Sequence, residues 1–199
     1  TQYGAKVVAV ADAGGGVYNP EGLDIEALKV AAHDHGTVAA LESAESITDS
    51  DLLSMDVDVL VLAALGNQIR ADNAHKVRAR VIAEGGPGVI TPRADRILAS
   101  VHDQHLVLPD ILAGAGGMVV AYFEWVQDVQ AYFWTVDQIE DLLLRRLDDP
   151  FEQVWALHNA HHRNLRVAAK TPDAHRVAST TPRRRRGPLK TREDPKRTE

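Results

Sequence analysis

Val57-Asp58-Val59-Leu60-Val61-Leu62-Ala63 runs straight into Ala64-Leu65-Gly66-Asn67, and this stretch sets the fold class. A near-continuous apolar run of that length reads as a strand covered on both faces, the mark of a parallel sheet. Small and turn-forming residues close it. The pattern returns downstream in Arg80-Val81-Ile82-Ala83, closed by Glu84-Gly85-Gly86-Pro87-Gly88, and in His105-Leu106-Val107-Leu108, closed by Pro109-Asp110. Upstream, Lys6-Val7-Val8-Ala9-Val10-Ala11 reads as another strand of the same kind, ending at Asp12 and a turn through Ala13-Gly14-Gly15-Gly16.

Helical patterns separate the strands. Asp24 to His35 carries Ile25, Leu28 and Ala31-Ala32 at helical spacing, with Asp24 placed to cap its start and Gly36 its end. Thr37 to Leu41 reads as a short strand. A short helix is expected at Ser50–Ser54, capped by Ser50 or Asp49, and another at Ala71–Val77. Thr91-Pro92 opens a helix to about Ser100, with Pro92 at the favoured first position. A long apolar helical stretch follows Asp110 to about Tyr132, and an amphipathic one covers Asp137 to about His161. Strands alternating with helices define an α/β domain, a parallel sheet flanked by helices. After Lys170 the periodicity ends, and prolines sit among charges. Residues 1–170 therefore read as the domain, and 171–199 as a basic, disordered tail.

Of the 199 residues, 45% are hydrophobic and 25% charged, as in globular domains. No apolar run is long enough to cross a membrane. The first residues, Thr1-Gln2-Tyr3-Gly4-Ala5-Lys6, lack the pattern of a secretory signal, and without an initiator Met the chain is expected to begin inside something larger. With no cysteine, thiolate catalysis and Cys-based metal sites are excluded, and a reducing cytoplasm is the expected compartment. The net charge is −6; the segment from Pro182 onward carries +5, which leaves −11 on the rest. Such an acidic body argues against nucleic acid as a partner.

In an open parallel sheet, ligands bind outside the carboxyl ends of the strands, and small residues there let a planar cofactor approach the backbone. Ala63-Ala64 and Gly85-Gly86 fit that role; they equally fit ordinary tight turns. His158, His161 and His162 have a spacing that could hold a metal, but no partner ligand accompanies them, so a solvated helix face is expected. Arg183-Arg184-Arg185-Arg186 suits an acidic partner or an inert tail alike. The aromatic run from Tyr122 to Trp134 reads as core and subunit packing.

Several of these segments together resemble the coenzyme-binding domain of the glutamate dehydrogenases. They are Gly4–Asp12 with Val17-Tyr18-Asn19-Pro20-Glu21-Gly22-Leu23-Asp24; Asp58-Val59-Leu60 with Ala63-Ala64-Leu65-Gly66-Asn67 and Asn73-Ala74; and Ile82-Ala83-Glu84-Gly85 with Thr91-Pro92 and Ala94-Asp95. Most specific are Pro109-Asp110-Ile111-Leu112-Ala113, Ala115-Gly116-Gly117 and Tyr122-Phe123-Glu124-Trp125-Val126-Gln127, which resemble the hexameric glutamate enzymes rather than the leucine or phenylalanine branch. The resemblance covers Tyr3 to Ala169. It implies a Rossmann-type domain and oxidative deamination of L-glutamate to 2-oxoglutarate and ammonia, with NAD or NADP as coenzyme. It further implies Asp12 near the adenosine ribose, Ala63 and Ala64 against the cofactor, Asn67 near the nicotinamide ribose, Gly114 near the nicotinamide, and Ala121 facing the amino-acid substrate.

The departures from the family pattern are equally specific. The first strand and its Gly-rich turn would precede Gly4, and the family's catalytic Lys and Asp belong to an N-terminal domain that the sequence does not include. Hence no catalytic residue is expected in this chain. Gly114 stands for an Asn, Ala121 for a Ser, and Gly86-Pro87 for Ala-Asn. The expectation is a coenzyme-binding portion, inactive alone, that joins its missing domain in a hexamer. The rival is a non-catalytic remnant or an interaction module with a basic tail.

Overall fold

The computed structural model describes residues 4–101, 105–161 and 164–171. Apart from Thr171, the tail expected to be disordered lies outside the described residues, as do His162 and the side chain of His161. Among the described residues six short strands form two sheets. Strands β4 (Val59–Val61), β5 (Val81–Ala83) and β6 (Leu106–Leu108) make the expected parallel sheet, in that order, with Val59 level with Val81 and Val81 level with Leu106.

Strands β1 (Ala9–Asp12), β2 (Gly15–Tyr18) and β3 (Glu45–Ile47) form the other sheet, and it is antiparallel. This corrects the reading of Lys6–Ala11 as a parallel strand. Asp12 pairs with Gly15, so Ala13-Gly14 is a two-residue hairpin turn and two of the three glycines, Gly15 and Gly16, belong to a strand. Gly16 is required there, because an added Cβ would lie 2.9 Å from Ile47 and 3.0 Å from Ala11. Ahead of the strand, the carbonyls of Val7 and Val8 accept N–H bonds from Leu23 and Asn19 at 2.8 Å each.

Helix α1 (Ile25–His35) begins and ends as the residues dictate. Asp24 Oδ1 accepts from the Glu26 and Ala27 amides, and Gly36 takes the left-handed conformation at φ 72°. Thr37–Leu41 is not a strand: Thr37 caps a 3-10 turn at Val38–Ala40 instead. Helix α2 (Asp49–Leu53) is capped by Thr48, not by Ser50 or Asp49, in a capping box with Asp51. The helix expected at Ala71–Val77 shrinks to a 3-10 turn, Ala74–Lys76. Helix α3 (Pro92–Ser100) starts at Thr91 and Pro92 as expected. The long apolar stretch after β6 divides at Gly114 into α4 (Asp110–Ala113) and α5 (Ala115–Gln130), and α6 (Val136–His161) follows with Pro150 inside it.

The parallel sheet is sandwiched, and the alternation of side chains shows how. Leu60, Ile82 and Val107 face a core built with Ile69, Val77, Val89, Ile90, Ala94 and Leu98, which includes α3. Leu106 and Leu108 point the other way, against Val154 of α6 and Leu165, Ala168 and Ala169 of the helical segment at 165–171. That second cover stops short of β4. Val59 and Val61 are 55% and 60% exposed, so the strand read as covered on both faces is covered on one among the described residues.

Candidate functional site

Three loops converge at the carboxyl ends of β4, β5 and β6. The first two interlock through close backbone approach. A Cβ on Gly86 would lie 2.7 Å from Ala64 O, one on Gly85 3.3 Å from the Ala63 Cβ, and one on Gly66 3.3 Å from Gly88 O. Asn67 N–H donates to Gly88 O at 2.9 Å, and Ile69 N–H to Val89 O at 3.0 Å. Asn67 itself takes a left-handed φ of 64° on the exposed loop, a conformation asparagine tolerates. The second and third loops line an open cavity of about 280 Å³, formed by Glu84, Gly85, Gly86, Pro87, Asp110, Ile111 and Gly114.

Glu84 closes the back of this cavity. It follows an apolar strand directly and is 1% exposed, so its charge needs a partner. Arg166 provides it, Nη2 lying 2.8 Å from Glu84 Oε1. That contact is an ion pair lying off the hydrogen-bond axis, since Nη2 has no aligned acceptor. The Arg166 Nε donates to Asp95 Oδ1 at 3.2 Å, and Nη1 lies 3.6 Å from Asp110 Oδ1. Burial disfavours the guanidinium charge, but the Glu84 carboxylate and then Asp95 outweigh it, and the Arg166 pKa rises above its ordinary value. Glu84 Oε2 in turn accepts the Asp110 N–H at 2.9 Å.

The residues singled out by resemblance are only partly gathered here. Gly114 lines the cavity, and an added Cβ at that position would lie 2.8 Å from Asp110 O. Ala63 and Ala64 are exposed on the loop that abuts Gly85 and Gly86. Ala121 is exposed on α5 and does not line the cavity. Asp12 sits in the antiparallel sheet, where Oδ1 accepts from Gly14 N–H at 2.8 Å and the Thr37 hydroxyl at 2.7 Å, and Oδ2 from Val38 N–H at 2.7 Å. Burial raises its pKa, but the bonds from Val38, Thr37 and Gly14 prevail and hold it below the usual carboxylate value. Sequence reasoning missed Arg166 and gave Glu84 no role. The signal was a lone charge at the end of an apolar strand and a lone cation in Leu165-Arg166-Val167-Ala168-Ala169.

Among the described residues no cluster of His, Cys, Asp or Glu could hold a metal, and no helix is long and apolar enough to cross a membrane. His158 lies 5.2 Å, ring to ring, from Trp155.

An open parallel sheet between helical layers, with its cavity beyond the strand carboxyl ends, places this chain among α/β domains of the doubly wound kind. More specifically, it belongs to the glutamate/leucine/phenylalanine/valine dehydrogenase family, whose model matches residues 1–185. The family is one of amino-acid dehydrogenases, which are oxidoreductases. The chain is 45% identical over 183 residues to a glutamate dehydrogenase of Thermotoga maritima, covering 92% of this chain and 44% of that protein. It is 39% identical over 178 residues to a cryptic catabolic NAD-specific glutamate dehydrogenase of Bacillus subtilis, covering 89% and 41%. The hetero-hexameric glutamate dehydrogenase of Thermus thermophilus, solved with leucine bound, superposes with a TM-score of 0.81 at 30% identity, over 90% of this chain and 42% of that one. The chain thus spans about two fifths of the length of these relatives.

Proposed function

We propose that the chain is the coenzyme-binding portion of an NAD-dependent glutamate dehydrogenase of the cytoplasm, inactive until joined to the rest of a longer polypeptide. The observation that carries this reading is the open cleft beyond β5 and β6, at the carboxyl ends of the parallel strands, whose floor is made of loops packed closely together at their glycines. At about 280 Å³ it suits the nicotinamide end rather than a whole dinucleotide, since pockets for larger ligands run from roughly 300 to 1,000 Å³. NAD, the coenzyme in the name of the Bacillus relative, would accept the hydride released from the amino-acid α-carbon.

The chain's own residues would bind and orient. Ala63, Ala64 and Gly114 would meet the ring and ribose with little side-chain bulk, and Asn67, on an exposed turn, would offer its amide to the ribose. An ionised carboxylate has about four acceptor positions, so the three bonds at Asp12 leave one on Oδ2 for a ribose hydroxyl. Its negative charge there disfavours a 2′-phosphate, and hence NADP. Ala121 faces the side chain of the substrate from α5. The substrate's α-amino group and the proton transfers fall to the remaining three fifths of the enzyme, and the assembled protein is a hexamer. Joining this chain to the remainder of the Thermotoga relative tests the reading. The chimera should form 2-oxoglutarate from L-glutamate with NAD; a folded chimera that neither binds NADH nor turns over would overturn it.

A further inference from the structure

We propose that Arg166 is a positioning residue for the cavity: it acts from behind, through Glu84 and Asp110, to fix the spacing of the two loops that line it. The guanidinium does not line the cavity, yet it reaches three carboxylates from three different elements. Glu84 directly follows β5, Asp95 lies in α3, and Asp110 opens α4. The links then run on into the cavity wall. Glu84 Oε2 accepts the Asp110 amide, and Asp110 Oδ1 accepts the Ile111 amide at 2.8 Å. One cation thereby sets the separation of residues 84–87 from residues 110–114.

Two features make this a matter of arginine rather than of any cation. The guanidinium is planar and forked, so its bond to Asp95 through Nε fixes the direction in which both Nη groups point. Its backbone is anchored as well, since Leu165, Ala168 and Ala169 are buried against Leu106, Leu108 and Leu112. A lysine ammonium could neutralise Glu84 but could not at the same time donate to Asp95 through a rigid fork that holds its charge between Glu84 and Asp110. The cavity's width is thus determined by a segment more than fifty residues downstream of its lining.

The coenzyme half of this inference rests on the function proposed above; the positioning half does not, and the experiment separates them. Amide exchange is measured on the 199-residue chain carrying Arg166→Met, Arg166→Lys or Asp95→Asn, and the KM for NAD and kcat on the chimera with the same changes. Arg166→Met should speed exchange at 84–86 and 110–114 by about tenfold or more, the effect of leaving the buried Glu84 charge without its cation, and leave α1 and the β1–β2–β3 sheet unchanged. In the chimera it should raise the KM for NAD by a similar factor with kcat altered less, and Arg166→Lys should restore part of the loss. Asp95→Asn, which spares the Glu84 pair, should give a smaller rise confined to the same two segments, and it carries the test if Arg166→Met does not fold. Exchange that rises uniformly, or not at all, overturns the positioning role. Local exchange changes in the 199-residue chain, with a parent chimera that binds no coenzyme, would keep that role and refute the coenzyme reading. A parent that binds NAD, with Arg166→Met binding equally well, would do the reverse.

Discussion

Ala121 carries only a methyl group on the exposed side of α5, where the resembling enzymes place a serine. A methyl cannot donate to the side-chain carboxylate of glutamate. Loss of a hydrogen bond to a charged group is worth about 1.5–3 kcal/mol, or roughly ten- to a hundredfold in kcat/KM. A complete enzyme with Ala121 should therefore use glutamate poorly and shift toward smaller or less polar amino acids. Ala121→Ser in the chimera should recover that factor for glutamate and leave a small apolar substrate unaffected. Equal kcat/KM before and after would show that Ala121 does not face the substrate.

At the scale of elements, Asp12 joins two of them: its carboxylate holds the turn between β1 and β2 and the start of the 3-10 turn at Val38. Its folded pKa lies below the unfolded value near 3.8, so it stabilises the fold above that pH and loses this contribution as pH falls through the folded pKa. Asp12→Asn should accordingly lower Tm at neutral pH, and the gap to the parent should close below about pH 4. A gap of constant size from about pH 7 to pH 3 would contradict the assignment. The same carboxylate explains why one sheet was misjudged. The apolar run Lys6–Ala11 has no feature that separates parallel from antiparallel pairing. The deciding information was the two-residue turn Ala13-Gly14, held by Asp12, and an isolated run of glycines reads only as a turn. Strands β4 to β6 were legible because turns punctuate them, and α1 and α3 because Asp24, Gly36, Thr91 and Pro92 mark their ends. Thr37 looked like a strand residue because β-branching favours strands, but its hydroxyl capped a turn instead. The Arg166 cluster was illegible for another reason: its members are far apart in sequence, and only tertiary packing unites them.

Across the whole molecule, the helical cover over Leu106 and Leu108 does not extend to Val59 and Val61 on the same face of the parallel sheet. Each half-exposed valine forgoes about 1 kcal/mol of burial, and among the described residues β4 has no strand partner other than β5. The 199-residue chain should therefore self-associate as concentration rises, and Val61→Lys should reduce this, as read by light scattering over a dilution series. Scattering that is unchanged by Val61→Lys would place the contact elsewhere. The Arg166 cluster bears on biosynthesis in a different way. A chain stopped by a nonsense codon before residue 166 would lose the cation that meets Glu84 together with Ala168 and Ala169, which help cover Leu106 and Leu108, and removing one partner of a buried pair costs about 3–5 kcal/mol. That is a large part of a small domain's stability. Prematurely terminated copies would then open readily and fall to cellular proteases, so that reaching Arg166 serves as a checkpoint on synthesis of the domain.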